Sequence, residues 1–271
     1  MWHEPYTVAF LCKIAAQSEG KPISKVFANM MEMSAKLSKE HHEFSNSKLM
    51  DMSLFTYPFV QSKLEEEEPG KTYLFVKEMA ISIVNQYEFL PNVPTRHTFL
   101  IRHPYRFLSS RRKMYLRMTK SEGNPEDFDM RKAAPKLMRD LYKQDGMYML
   151  WKYVQESGRD PNPIVIDADE VVNQPDIILQ KYFAELGIPF HDKYLRWEES
   201  LDSVKEWKGA LGHVVWGYRK GIFDKAIKSS CFIPSTYSRP KREDLTSDIV
   251  EMADSILPGY EEMYKWRIKP T

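Results

Sequence analysis

The sequence predicts a mixed α/β protein built on a mainly parallel sheet. Three observations predict it: continuous apolar runs near residues 72–76, 97–101 and 163–166, helical patterns between and after them, and no internal repeat. No linker of changed composition divides the chain, so residues 1–271 read as a single domain.

In chain order, residues 2–6 are the tail of a strand, and residues 7–17 an amphipathic helix stopped by the turn Ser18-Glu19-Gly20-Lys21-Pro22. A Met-rich pattern over 23–39 (Val26, Met30, Met33, Leu37) repeats at helical spacing. Residues 49–64 read as partly helical, broken near Pro58. Pro69-Gly70 turns the chain into Thr72-Tyr73-Leu74-Phe75-Val76, expected as a buried parallel strand ended by Lys77-Glu78-Met79. A short helix is expected over 80–87. Thr98-Phe99-Leu100-Ile101 forms the next buried strand, with a helix opening near Pro104, since Pro suits a helix's first turn. Residues 121–129 are the clearest loop and 130–157 a long helix. Ile164-Val165-Ile166 is a third buried strand ending at Asp167, and 175–186 a helix closed by Gly187. Residues 191–247 mix aromatics, charges and turn residues without a period, and 248–265 form a terminal helix.

Lys+Arg 39 against Asp+Glu 38 leaves a net charge of +1, which excludes the global basic field of a nucleic-acid partner. Local charge is uneven: residues 102–117 are basic and Glu65 to Glu68 acidic, so an anion site would be a patch. Cys12 and Cys231 imply no disulfide framework and a reducing, cytoplasmic setting. The sequence lacks both an apolar run approaching roughly 18 residues and the layout of a signal peptide, so no membrane partner is expected. His41-His42 lack companions at ligand spacing, and no metal cofactor is expected.

The chemistry concentrates at Arg102. A strand ending there projects its guanidinium from the carboxyl end, where open α/β sheets bind ligands. Ser110, eight residues on, lies about two turns into the following helix. A planar donor fork with a hydroxyl and a helix dipole suits a phosphate.

Arg102-His103-Pro104 with Ser110 resembles the 3′-phosphate-binding strand and helix of sulfotransferases that use 3′-phosphoadenosine 5′-phosphosulfate (PAPS). Residues 73–79 resemble the preceding strand of that family, ending in a Lys that faces the transferring sulfuryl group. Ile164-Val165-Ile166-Asp167-Ala168-Asp169, followed by Pro175 and Leu186-Gly187-Ile188-Pro189, resembles its strand, Asp, Pro and Leu-Gly segment. Arg219-Lys220-Gly221 is similar to the family's late 3′-phosphate triplet. His3-Glu4-Pro5-Tyr6-Thr7 looks like a sulfotransferase-like subgroup often labelled branched-chain aminotransferase-like.

The resemblance implies a three-layer α/β/α fold like that of P-loop nucleoside triphosphate hydrolases. It implies transfer of a sulfuryl group from PAPS, as co-substrate, to a hydroxyl or amine of a small-molecule or glycan acceptor, with no metal. Arg102, Ser110, Arg219, Lys220 and Gly221 would bind the nucleotide. Lys77 would stabilise the transferring group. Met79 stands where cytosolic members place a His base, so Glu78 becomes the substitute base. The family opens with a strand and a phosphate loop before the His-Glu-Pro-Tyr segment. Met1 stands two residues before His3, so the expectation is an N-terminally truncated domain lacking that strand and loop. Its alternative function is an inactive nucleotide-binding or interaction module. Ser18-Glu19-Gly20-Lys21-Pro22-Ile23-Ser24 imitates the loop but follows a helix and carries Pro after Lys.

Each of these residues also has a structural reading. Arg102 could pair with a carboxylate and Ser110 bond within its helix. Arg219-Lys220-Gly221 could be a turn with a glycine at positive φ. Lys77 could be a surface lysine at a strand end and Glu78 an exposed glutamate. Arg111, Arg112 and Lys113 read as a solvated face.

Overall fold

The computed structural model describes residues 1–119, 128–133, 145–234 and 238–271. It is a mixed α/β protein, mostly helical, with short parallel strands. The described residues group into two compact units, each made of two chain segments: Met1–Pro94 with Glu198–Ser229, and Thr95–Trp197 with Ser230–Thr271.

In the first unit, β1 (Trp2–His3) pairs in parallel with β2 (Val76–Lys77), His3 opposite Lys77. A further parallel bridge joins Trp2 to Lys208. The helix Thr7–Glu19 ends at Gly20, whose φ of +62° lets its N–H return to the Ala16 carbonyl. The helix Ile23–Glu40 follows Pro22 and packs against the helix Leu211–Arg219. Pro58 sits in the first turn of the helix Tyr57–Glu65, behind the Thr56 cap, so it starts a helix where a break was expected.

Two expectations are overturned here. The run over 72–76 is not a buried strand: only Val76 joins β2, and Tyr73, Leu74 and Phe75 are 60%, 38% and 57% exposed. Its partner β1 is two residues long, so the ladder ends before those side chains acquire a layer to pack on. The expected helix over 80–87 is two single turns, Ala80–Ser82 and Tyr87–Phe89, separated by Asn85 at φ +58°.

In the second unit, β3 (Thr98–Ile101) pairs in parallel with β4 (Ile164–Asp167), Thr98 opposite Ile164 and Ile101 opposite Asp167. β4 is buried along its length, as its sequence predicts. β3 buries only Phe99 and Ile101 and leaves Leu100 55% exposed, so one face of the expected buried strand meets solvent. The helix Pro104–Thr119 starts at the proline and packs against the helix Ser247–Lys265. Ile164 and Ile166 form a core with Val171, Ile178 and Tyr182 beneath the helix Pro175–Glu185, after which Gly187 turns the chain at φ +67°.

The expected loop over 121–129 falls mostly outside the described residues. Of the helix expected over 130–157, Met130–Ala133 and Gly146–Glu156 are helical and 134–144 lie outside them. Arg112 is no solvated side chain: it donates to the Phe128 carbonyl at 2.7 Å and lies 3.6 Å from Asp248. Among the described residues no helix is long and apolar enough to cross a membrane.

Candidate functional site

Glu4 organises the polar centre of the first unit. The chain leaves β1 through Glu4 at φ +47°, a left-handed conformation that costs a non-glycine residue roughly 1 kcal/mol. Its N–H donates to the Lys77 carbonyl at 2.6 Å. The turn holds the Glu4 carboxylate, mostly buried, between the Lys77 ammonium and His213 Nε2, the latter at 2.8 Å. A carboxylate only accepts, so it keeps the imidazole proton on Nε2 and leaves Nδ1 with its lone pair. His3 stacks on Trp207 with centroids 4.1 Å apart and meets Phe223 edge-on, its Nε2 3.9 Å from Glu4.

Burial, with the Lys77 charge second, pulls the His213 imidazole down to about 4. Burial first, then Lys77 and His213, pulls His3 down to about 3. Both rings are therefore neutral at pH 7. A neutral imidazole oriented by a carboxylate beside an ammonium can take a proton while the ammonium stabilises an anion.

Glu78 has a different setting from Lys77. It accepts from the Tyr6 N–H at 2.6 Å, the Thr7 hydroxyl at 2.9 Å and the Met79 N–H at 2.7 Å. Its oxygens thus anchor the start of the helix Thr7–Glu19, where a carboxylate satisfies free backbone donors. Burial raises its carboxyl to about 7 against those hydrogen bonds. Lys77, by contrast, keeps 45% of its side chain exposed.

These groups give the first unit an acid-sensitive stability. From pH 6.5 down to about 4, His213 and His3 take up protons in the unfolded chain and not in the fold, so stability falls as pH falls. Glu78 acts oppositely, holding its proton up to about 7 in the fold, so its contribution is lost as pH rises from 4.5. Each group changes stability by roughly 1.4 kcal/mol per pH unit, and two imidazoles outweigh one carboxyl. Urea unfolding between pH 7.5 and 5 should show this decline, and His213→Gln, which can still donate to Glu4, should flatten it by about one proton's slope. An unchanged slope in that variant would refute the assignment.

Arg219 closes the helix Leu211–Arg219 and donates to Glu40 at 3.2 Å. Lys220 is exposed, and Gly221 at φ +65° gives its N–H to the Tyr218 carbonyl at 2.9 Å. The triplet is a helix-ending turn with a left-handed glycine.

In the second unit, Arg102 stands immediately after β3, with 36% of its side chain exposed. Its Nε donates to Asp169 Oδ1 at 3.3 Å, and Arg106 reaches Asp169 Oδ2 at 3.2 Å. Two guanidiniums share one carboxylate beside the strand's carboxyl end. Ser110 is exposed on the helix Pro104–Thr119. Asp167 is structural: it caps the helix Ala168–Asn173 by accepting from the Asp169 and Glu170 N–H groups, and it also accepts from the Tyr260 hydroxyl at 3.1 Å.

No protein-family model, curated protein or solved structure matches this chain.

Of the residues singled out from sequence, Lys77, Glu78, Arg219, Lys220 and Gly221 belong to the first unit, and Arg102 and Ser110 to the second. Within the first unit the structure brings Lys77 to Glu4, while Arg219 is engaged by Glu40. His213 is the residue that sequence reasoning missed. It lies 209 positions from its partner Glu4, in a stretch without visible period, so no local signal joins the two.

Proposed function

We propose that this chain binds 3′-phosphoadenosine 5′-phosphosulfate and transfers its sulfuryl group to a hydroxyl or amine acceptor, on a three-layer P-loop-like architecture. One observation carries the reading: a parallel strand ends at Ile101, Arg102 follows with its guanidinium part-exposed, and a helix opens at Pro104 with Ser110 about two turns along. A guanidinium fork beside an exposed hydroxyl is the chemistry that a terminal phosphate needs.

In the reaction the acceptor oxygen or nitrogen forms a bond to sulfur. The bond from sulfur to the bridging oxygen breaks, adenosine 3′,5′-bisphosphate leaves with the electron pair, and the acceptor's proton passes to a base.

Isothermal titration of the 271-residue chain with adenosine 3′,5′-bisphosphate and with adenosine 5′-monophosphate tests the reading. The bisphosphate is expected to bind at least about tenfold tighter, because only it presents the 3′-phosphate. No binding, or equal binding of the two, overturns it.

A further inference from the structure

A cavity of about 610 Å³ opens in the first unit between the helix Thr7–Glu19 and the start of the helix Tyr57–Glu65. Ala9, Lys13, Ala16 and Gln17 line one side, spaced four, three and one residues apart, so they share a helix face. The two alanines leave room that longer side chains would fill. Tyr57 and Phe89 line it too, their rings stacked with centroids 5.4 Å apart and planes within 24°.

Most polar groups around this space are already engaged. The Tyr57 hydroxyl donates to the Ser82 carbonyl at 2.8 Å, and the Thr56 hydroxyl accepts from the Phe59 N–H at 3.3 Å. The Lys21 ammonium sits 2.6 Å from Glu19, and the Gln86 amide donates to the Asn85 carbonyl. Lys13 differs: it is half-buried, makes no hydrogen bond or ion pair with the described residues, and among those residues no Asp or Glu lines the cavity. An unpaired ammonium beside apolar walls is complemented by an anion whose body is apolar.

We propose that this cavity binds a flat aromatic carboxylate, its carboxylate on Lys13 and its ring system against the Tyr57 and Phe89 wall. Charge complementarity selects the anion, and the aromatic wall of Tyr57 and Phe89 favours an apolar ring system. The volume lies within the roughly 300–1,000 Å³ typical of small-molecule sites and accommodates two fused rings. This site is separate from the nucleotide reading and stands without it.

The test titrates the full chain at low ionic strength with naphthalene-2-carboxylate and with its neutral counterpart naphthalene-2-methanol. The carboxylate is expected to bind once per chain and about tenfold tighter than the alcohol. Lys13→Met keeps the apolar stem and should erase that preference while sparing alcohol binding. Gln17→Trp, at an exposed position on the rim, should weaken both ligands about tenfold by filling the space, with the variant's fold checked by its thermal unfolding. Failure of both ligands to bind overturns the proposal, as does equal affinity, a preference surviving Lys13→Met, or indifference to Gln17→Trp in a folded variant.

Discussion

Arg102→Ala is expected to weaken adenosine 3′,5′-bisphosphate binding about 100-fold while the fold survives. Charge-assisted hydrogen bonds contribute roughly 1.5–3 kcal/mol each, and a guanidinium can offer two in parallel to one phosphate. About 2.7 kcal/mol corresponds to that hundredfold loss. The fold tolerates the change because Arg102 is part-exposed and Asp169 keeps Arg106 at 3.2 Å after the guanidinium is removed. Among the described residues, the ion pair with Asp169 engages Nε, 3.3 Å from Oδ1, and leaves both terminal nitrogens of the fork to meet a ligand. Titration at two salt concentrations also separates this effect from diffuse attraction, since the variant should lose salt dependence along with affinity. Unchanged affinity in a folded Arg102→Ala protein would remove the support for nucleotide binding at this strand end.

Gly259→Ala gives the largest expected loss of stability, about 2 kcal/mol or more, and its sign is diagnostic. By helix propensity alone the substitution is favourable by about 1 kcal/mol, because Gly259 lies inside the helix Ser247–Lys265. Packing decides otherwise. A Cβ at this position would strike the Asp145 carboxylate and come within 2.9 Å of Tyr148 Cβ. Asp145 cannot move aside freely: it caps the helix Gly146–Glu156 from a left-handed φ of +42°, accepting from the Tyr148 N–H at 3.3 Å. A Cβ of a neighbouring helix moves only with its backbone, so relief requires separating two helices, and overpacking of this kind costs about 1–3 kcal/mol or more. Thermal unfolding should show a midpoint lower by several degrees. A raised midpoint would mean that the two helices do not approach closely here.

How legible the protein was in its sequence depended on whether the deciding interaction was local. β4 is a run of β-branched residues buried on both faces, and periodicity with capping chemistry located the helices that end at Gly20 and before Gly187. The position of Arg102 followed from an apolar run before it and a proline two places after. The run over 72–76 has the same composition as a buried strand and yet lies in solvent, because burial needs a facing layer that composition does not name. The helix Leu211–Arg219 carries Leu211, Val214, Val215 and Tyr218 at helical spacing, but Gly212 and Gly217 disguise it. Those glycines are there for contact: a Cβ on Gly212 would meet Met52 Sδ at 2.5 Å, and one on Gly217 would meet the Phe223 ring at 2.8 Å.

By itself the sequence determined the α/β class, the order of most helices and strands, and the placing of a guanidinium at a strand's end. These follow from interactions spanning a few residues, where side-chain period, proline and glycine act directly on the backbone. Only the tertiary structure decided that Glu4 draws in both Lys77 and His213, that Glu78 fastens a helix start, and that Asp169 holds Arg102 together with Arg106. Each of those is set by where distant segments meet, and the energy of a charged pair depends on that distance and on how much water remains around it.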